Sequence, residues 1–171
     1  ILTFSGADMY IAGGKNGTIN AKIASGTGFT VRLNGQRVTL NGGADQLSGS
    51  GLVTLLHGVD GTHYGSGLNI SASQANFSGG FYLQNNPPQN VLNAAAVGSM
   101  GTGAATMDTH SRIDYTWGAQ LAGGAGDGGV AGITANAGSV VSLQGTYGSS
   151  LDRFTINEAG ALRGSSSQLG A

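Results

Sequence analysis

The chain has 171 residues, 33 of them glycine, with two prolines and no cysteine, and seven basic against eight acidic side chains. Only 9% of residues are charged against the usual ~25%, and lysine and glutamate, the staples of helix surfaces, are nearly missing. Glycine costs about 1 kcal/mol per helix position, so a helical bundle is excluded. A formal net charge of −1 speaks against an electrostatic partner such as nucleic acid, and the missing thiols remove disulfides and thiolate metal sites. No apolar run reaches the ~20 residues of a membrane span. The first residue, Ile1 rather than Met, reads as a processed chain, an excised domain or a start within a longer sequence.

In chain order, the first clear element is Phe29 to Leu40, where apolar residues alternate on both sides of Asn34-Gly35. That pattern predicts a β-hairpin in which Val31 faces Val38 and Phe29 faces Leu40, leaving Thr30, Thr39, Arg32 and Arg37 on a wet face. Short alternating runs recur at Leu52–Leu56, Leu68–Ala72, Phe81–Leu83, Met107–Trp117, Ser139–Leu143 and Phe154–Asn157. Between them, turn signals fall every 8–12 residues or so. The expectation is an all-β fold: a short-stranded sandwich or jelly roll, or an irregular β-helix, with long glycine-rich loops. No fixed-period repeat emerges.

Asn85-Asn86-Pro87-Pro88 interrupts the strand pattern, and residues 85–106 read as a connection between a β-rich half, residues 1–84, and a second, residues 107–171, the whole alternatively forming one domain. Within that connection, Asn90 to Val97 is the one predicted helix. A second loose stretch spans Gly118 to Gly132.

Three constellations bear on chemistry. His57, Asp60 and His63 tempt a metal reading, but a two-residue turn at Asp60-Gly61 puts the histidines on opposite faces, and a polar hairpin tip is expected. The glycines 124, 126 and 129 meet a bare dinucleotide fingerprint, yet no strand precedes them and no helix follows. The third is the run Met107–Trp117. As a strand it carries Asp108, His110, Arg112 and Asp114 on one face and Met107, Ile113, Tyr115 and Trp117 on the other. Two carboxylates flanking a histidine could work as acid and base on a glycosidic bond. The favoured reading is a self-neutralising polar ladder, with a glycan site as the sharper alternative and Tyr115 and Trp117 as aromatic contacts. No catalytic residue, metal or cofactor is expected.

The phrase Phe154-Thr155-Ile156-Asn157-Glu158-Ala159-Gly160-Ala161-Leu162, together with the Asn34-Gly35 turn, resembles the strand–turn–Gly–strand phrasing of bacteriophage virion surface proteins such as tail fibres, tailspike segments and capsid decoration proteins. Bacterial autotransporter passengers and filamentous adhesins share the same Gly/Asn/Ser/Thr bias. The resemblance implies a non-enzymatic structural protein of a virion or surface appendage, on the virion surface or outside the cell, working through oligomeric β packing. For fibres it implies a homotrimer, for decoration proteins docking on a lattice of other virion proteins. A carbohydrate-binding or carbohydrate-cleaving tailspike tip, or an adhesin fragment, is the alternative.

Overall fold

A computed structural model describes residues 1–4, 9–11, 16–33, 37–57, 66–84, 90–96, 98–115, 132–144 and 154–165. The fold is all-β with no helix among these residues, and every named strand pairing is parallel. Strands numbered along the chain fall into three sheets. The first holds β1 (Leu2–Phe4), β4 (Ile23–Ser25) and β7 (Leu47–Gly49). The second stacks β2 (Met9–Ile11), β5 (Phe29–Leu33), β8 (Val53–His57), β10 (Phe81–Leu83), β12 (Ala105–Met107), β14 (Ile133–Ala135) and β16 (Phe154–Ile156). The third stacks β3 (Gly17–Ile19), β6 (Arg37–Leu40), β9 (Ser66–Ile70), β11 (Asn90–Ala94), β13 (Ser111–Tyr115), β15 (Val140–Gln144) and β17 (Ala161–Ser165). The chain visits the second and third sheets in turn and adds one strand to each per coil, which makes a β-solenoid. Of the expected architectures this is the irregular β-helix.

Period-2 alternation sends one side chain of each pair into the solenoid and the next out. Inside, like residues stack coil upon coil. In the third sheet Val38, Leu68, Leu92, Ile113 and Val141 are register neighbours and all buried. In the second sheet Val31, Leu55, Leu83, Met107 and Ala135 do the same. Phe77 and Phe81 fill the middle of the stack with ring centroids 5.2 Å apart.

The corners are built from polar clamps and glycine. Gln46 and Gln74 are buried, yet their amides are occupied: Gln46 Nε2 donates to the carbonyls of Ile19 and Ala21, and the Leu47 amide donates to Gln74 Oε1. At another corner the coils touch backbone to backbone, because a Cβ on Gly51 would run into the backbone of Gly28. A third corner repeats one turn. Ser111, Ser139 and Gly160 donate their amides to the carbonyls of Asp108, Asn136 and Asn157, and the residue two places after each of those three lies in the left-handed region: His110 (φ 63°), Gly138 (φ 72°) and Ala159 (φ 60°).

Two expectations are corrected. β5 and β6 do not form a hairpin: β5 pairs with β2 and β8, while β6 pairs with β3 and β9 in another sheet. The apolar positions 29, 31, 33, 38 and 40 are buried as expected, since alternation fixes which face is buried but not which strand lies alongside. The predicted helix at Asn90–Val97 is instead β11 over Asn90–Ala94, flanked by β9 and β13. Leu92 and Ala94 point inward while Asn93 is half-buried on the outside, so burial with period 2 overrides the helical preference of an Ala-rich run. Residues 85–106, read as a connection, therefore contain a paired central strand. The turn at residues 34–36, the tip at 58–65 and the glycine run 123–129 lie outside the described residues.

Candidate functional site

The outer face of the third sheet presents two adjacent ranks of side chains. One reads Arg37, Gly67, Val91, Arg112, Val140 and the other Thr39, Asn69, Asn93, Asp114, Ser142, each residue being the register partner of the next. Neighbouring strands lie ~4.8 Å apart, so each rank is a column with one side chain per coil. Gly67 contributes no side chain to its rank, and a cleft of about 260 Å³ opens there, lined by both ranks from Arg37 to Asp114.

The far wall is an ion pair. Arg112 Nη2 donates to Asp114 Oδ2 at 2.7 Å, with the Arg112 side chain 37% exposed and that of Asp114 10% exposed. Beside it the Asn93 amide donates through Nδ2 to Asn69 Oδ1 at 3.0 Å. Three buried polar atoms here have no hydrogen-bond partner: Asn93 Oδ1, Arg112 Nε and Asp114 Oδ1. All three belong to residues that line the cleft. Unpartnered buried polar atoms are uncommon in folded chains, and a bound water or ligand is one way in which such atoms are satisfied.

The four residues expected on one strand face are divided by the solenoid. β13 starts at Ser111, so only Arg112 and Asp114 share its outer face. Asp108 and His110 sit in the preceding turn, at the corner between the second and third sheets. There Asp108 accepts from the Tyr82 hydroxyl (2.5 Å) and from Asn136 Nδ2 (3.1 Å), and Asn136 Oδ1 in turn accepts from Asn157 Nδ2 (2.7 Å). That row is a polar spine joining successive coils. The Tyr82 hydroxyl is held above the ordinary phenol range, chiefly because it donates to Asp108, then by burial and by the negative charge of the same carboxylate. Tyr115 closes β13, and Trp117 lies outside the described residues.

No protein-family model, curated protein or solved structure matches this chain. The site is therefore read from its own chemistry. Among the described residues no group of three or more His, Cys, Asp or Glu side chains could hold a metal ion, and no helix is long and apolar enough to cross a membrane. The cleft offers charge-assisted donors, amide and carboxylate acceptors and the apolar edge of Val91, a set suited to holding a polar ligand. Arg37, Gly67, Asn69 and Asn93 escaped the sequence reading because they come from coils up to 75 residues from Arg112 along the chain. The available signal was a phrase of apolar, polar, apolar residues repeated as Val38-Thr39-Leu40, Leu68-Asn69-Ile70, Leu92-Asn93-Ala94 and Ile113-Asp114-Tyr115.

Proposed function

We propose that the chain is a non-enzymatic structural protein of a virion or surface appendage, working by oligomeric packing of its β-solenoid, with a trimer as the closed form. The observation that carries this reading is the outer rank of the second sheet: Thr30, Thr54, Tyr82, Thr106, Thr134 and Thr155 are successive register partners without a charge among them. Threonine loses little rotamer freedom on contact, and an uncharged rank is cheaply dehydrated, so it favours packing against another β surface. The solenoid, the low charge and the short side chains suit an elongated component that carries load or spacing. Sedimentation equilibrium tests it. The chain should run as a trimer, and Thr106→Lys should shift it towards monomer with the circular dichroism unchanged; a monomer at high concentration overturns the reading.

A second reading is favoured by the cleft on the third sheet. Its mixture of donors and acceptors beside an apolar Val91 edge matches what a saccharide presents, namely hydroxyls around a hydrophobic ring face. In this reading the appendage also holds a glycan there.

A further inference from the structure

We infer that the cleft on the third sheet selects an acidic saccharide, a uronate-type sugar whose carboxylate meets Arg112 and whose hydroxyls meet Asn93 and Asp114. This rests on the saccharide-binding reading of the cleft and goes beyond it by fixing the ligand's charge and the contacts that recognise it.

Three unsatisfied atoms define what a ligand in the cleft must offer. Asn93 Oδ1 and Asp114 Oδ1 are acceptors and need O–H donors, whereas Arg112 Nε is a donor and needs an oxygen. A single ligand completes all three if it carries neighbouring hydroxyls and an anionic oxygen, since a carboxylate is the strongest partner for a guanidinium. Charge points the same way. Among the described residues the charged groups lining the cleft are Arg37, Arg112 and Asp114, two basic against one acidic, in a chain whose overall formal charge is −1.

The three atoms are closed to solvent as they stand, and the ion pair supplies the means of opening. Asp114 is held in the wall, while the Arg112 side chain is more than a third exposed. Turning the guanidinium outward presents Nε to a carboxylate in the cleft and uncovers the Asp114 carboxylate for a hydroxyl. Gly67 leaves the floor clear: a Cβ there would sit 3.3 Å from the Val91 carbonyl oxygen and 3.6 Å from the Val91 Cβ.

The test is an NMR titration of the whole ¹⁵N-labelled chain with an oligogalacturonate, and in parallel with its neutral methyl ester. The acid form should shift the Asn93 side-chain amide and the Gly67 and Val91 backbone amides, bind about tenfold or more tightly than the ester, and weaken as salt rises. Arg112→Gln should lose that preference while keeping the circular dichroism of the folded chain, although its melting temperature falls because Asp114 loses its ion-pair partner, and Gly67→Val should block both ligands. Equal binding of acid and ester at the cleft overturns the acidic specificity and leaves the saccharide reading standing. Binding of neither overturns both. An Asn93 amide found turned so that Nδ2 donates to Asp114 Oδ1 would close the network internally and also overturn the proposal.

Discussion

Val31 and Thr30 are adjacent in sequence and opposite in fate: Val31 is 3% exposed against Leu55 in the next coil, while Thr30 stands half-buried on the outer face. An unpaired carboxylate at position 31 has no water and no counter-charge, so Val31→Asp should cost several kcal/mol or prevent folding. Thr30→Asp, on the outer rank, acts on assembly rather than on the coil, so in the Thr106→Lys background its cost should fall within about 0.5 kcal/mol. Urea unfolding measures both, and equal losses would contradict the inward–outward assignment. Tyr82 contributes a pH dependence. Its folded pKa is raised, so the folded chain holds that proton more tightly than the unfolded one, and the resulting stability is complete at neutral pH and lost as pH climbs through the folded value. Urea midpoints between about pH 8 and 11 should therefore fall further in the wild type than in Tyr82→Phe. Parallel profiles would mean that the Asp108 contact contributes nothing.

At the level of elements, the repeated corner turn makes its own prediction. Position 138 is a glycine at φ 72°, whereas Ala159 holds φ 60° in the equivalent place, where a Cβ costs about 1–2 kcal/mol. Ala159→Gly should raise the melting temperature and Gly138→Ala should lower it, the latter also pressing a methyl against Thr109 Cγ2. Shifts of the same sign would contradict the turn. These elements also show what was legible from sequence. Burial along 29–40 could be read because alternation is a local property. The partner strand could not, because two apolar runs separated by Asn34-Gly35 read the same whether they pair with each other or lie in different sheets. Residues 90–94 misled for a related reason: Leu92-Asn93-Ala94 has period 2, but the following Ala95-Ala96 extends it into a sequence of helix-forming residues. At the site, Arg112 and Asp114 were found because they are two apart on one strand. Asp108 was assigned to the same strand because nothing local announces that the turn at His110 intervenes.

For the whole molecule, the repeat was hidden by unequal coils. Register partners Gly17 and Val38 are 21 residues apart, whereas Val38 and Leu68 are 30 apart; the extra length falls between the named strands, and no single step aligns them. Because each coil rests only on its neighbours, stability is expected to spread along the stack. A cavity in the middle should loosen the coils on either side: Leu92→Ala should cost about 2–5 kcal/mol and speed amide exchange in β9 and β13 more than in β3 or β17. Uniform acceleration along the chain would point to a single cooperative block instead. The solenoid also brings Gly67, Asn93 and Asp114, which are far apart in sequence, into one cleft, so both functional readings depend on parallel register. The most direct test of that register is a set of nuclear Overhauser contacts in the third sheet and across residues 31–38. The parallel solenoid requires short amide-to-α-proton contacts linking Leu68 with its neighbours around Leu92, and none between Val31 and Val38; a close α-proton to α-proton contact across an antiparallel pair within residues 29–40, with the Leu68–Leu92 contacts missing, would contradict it.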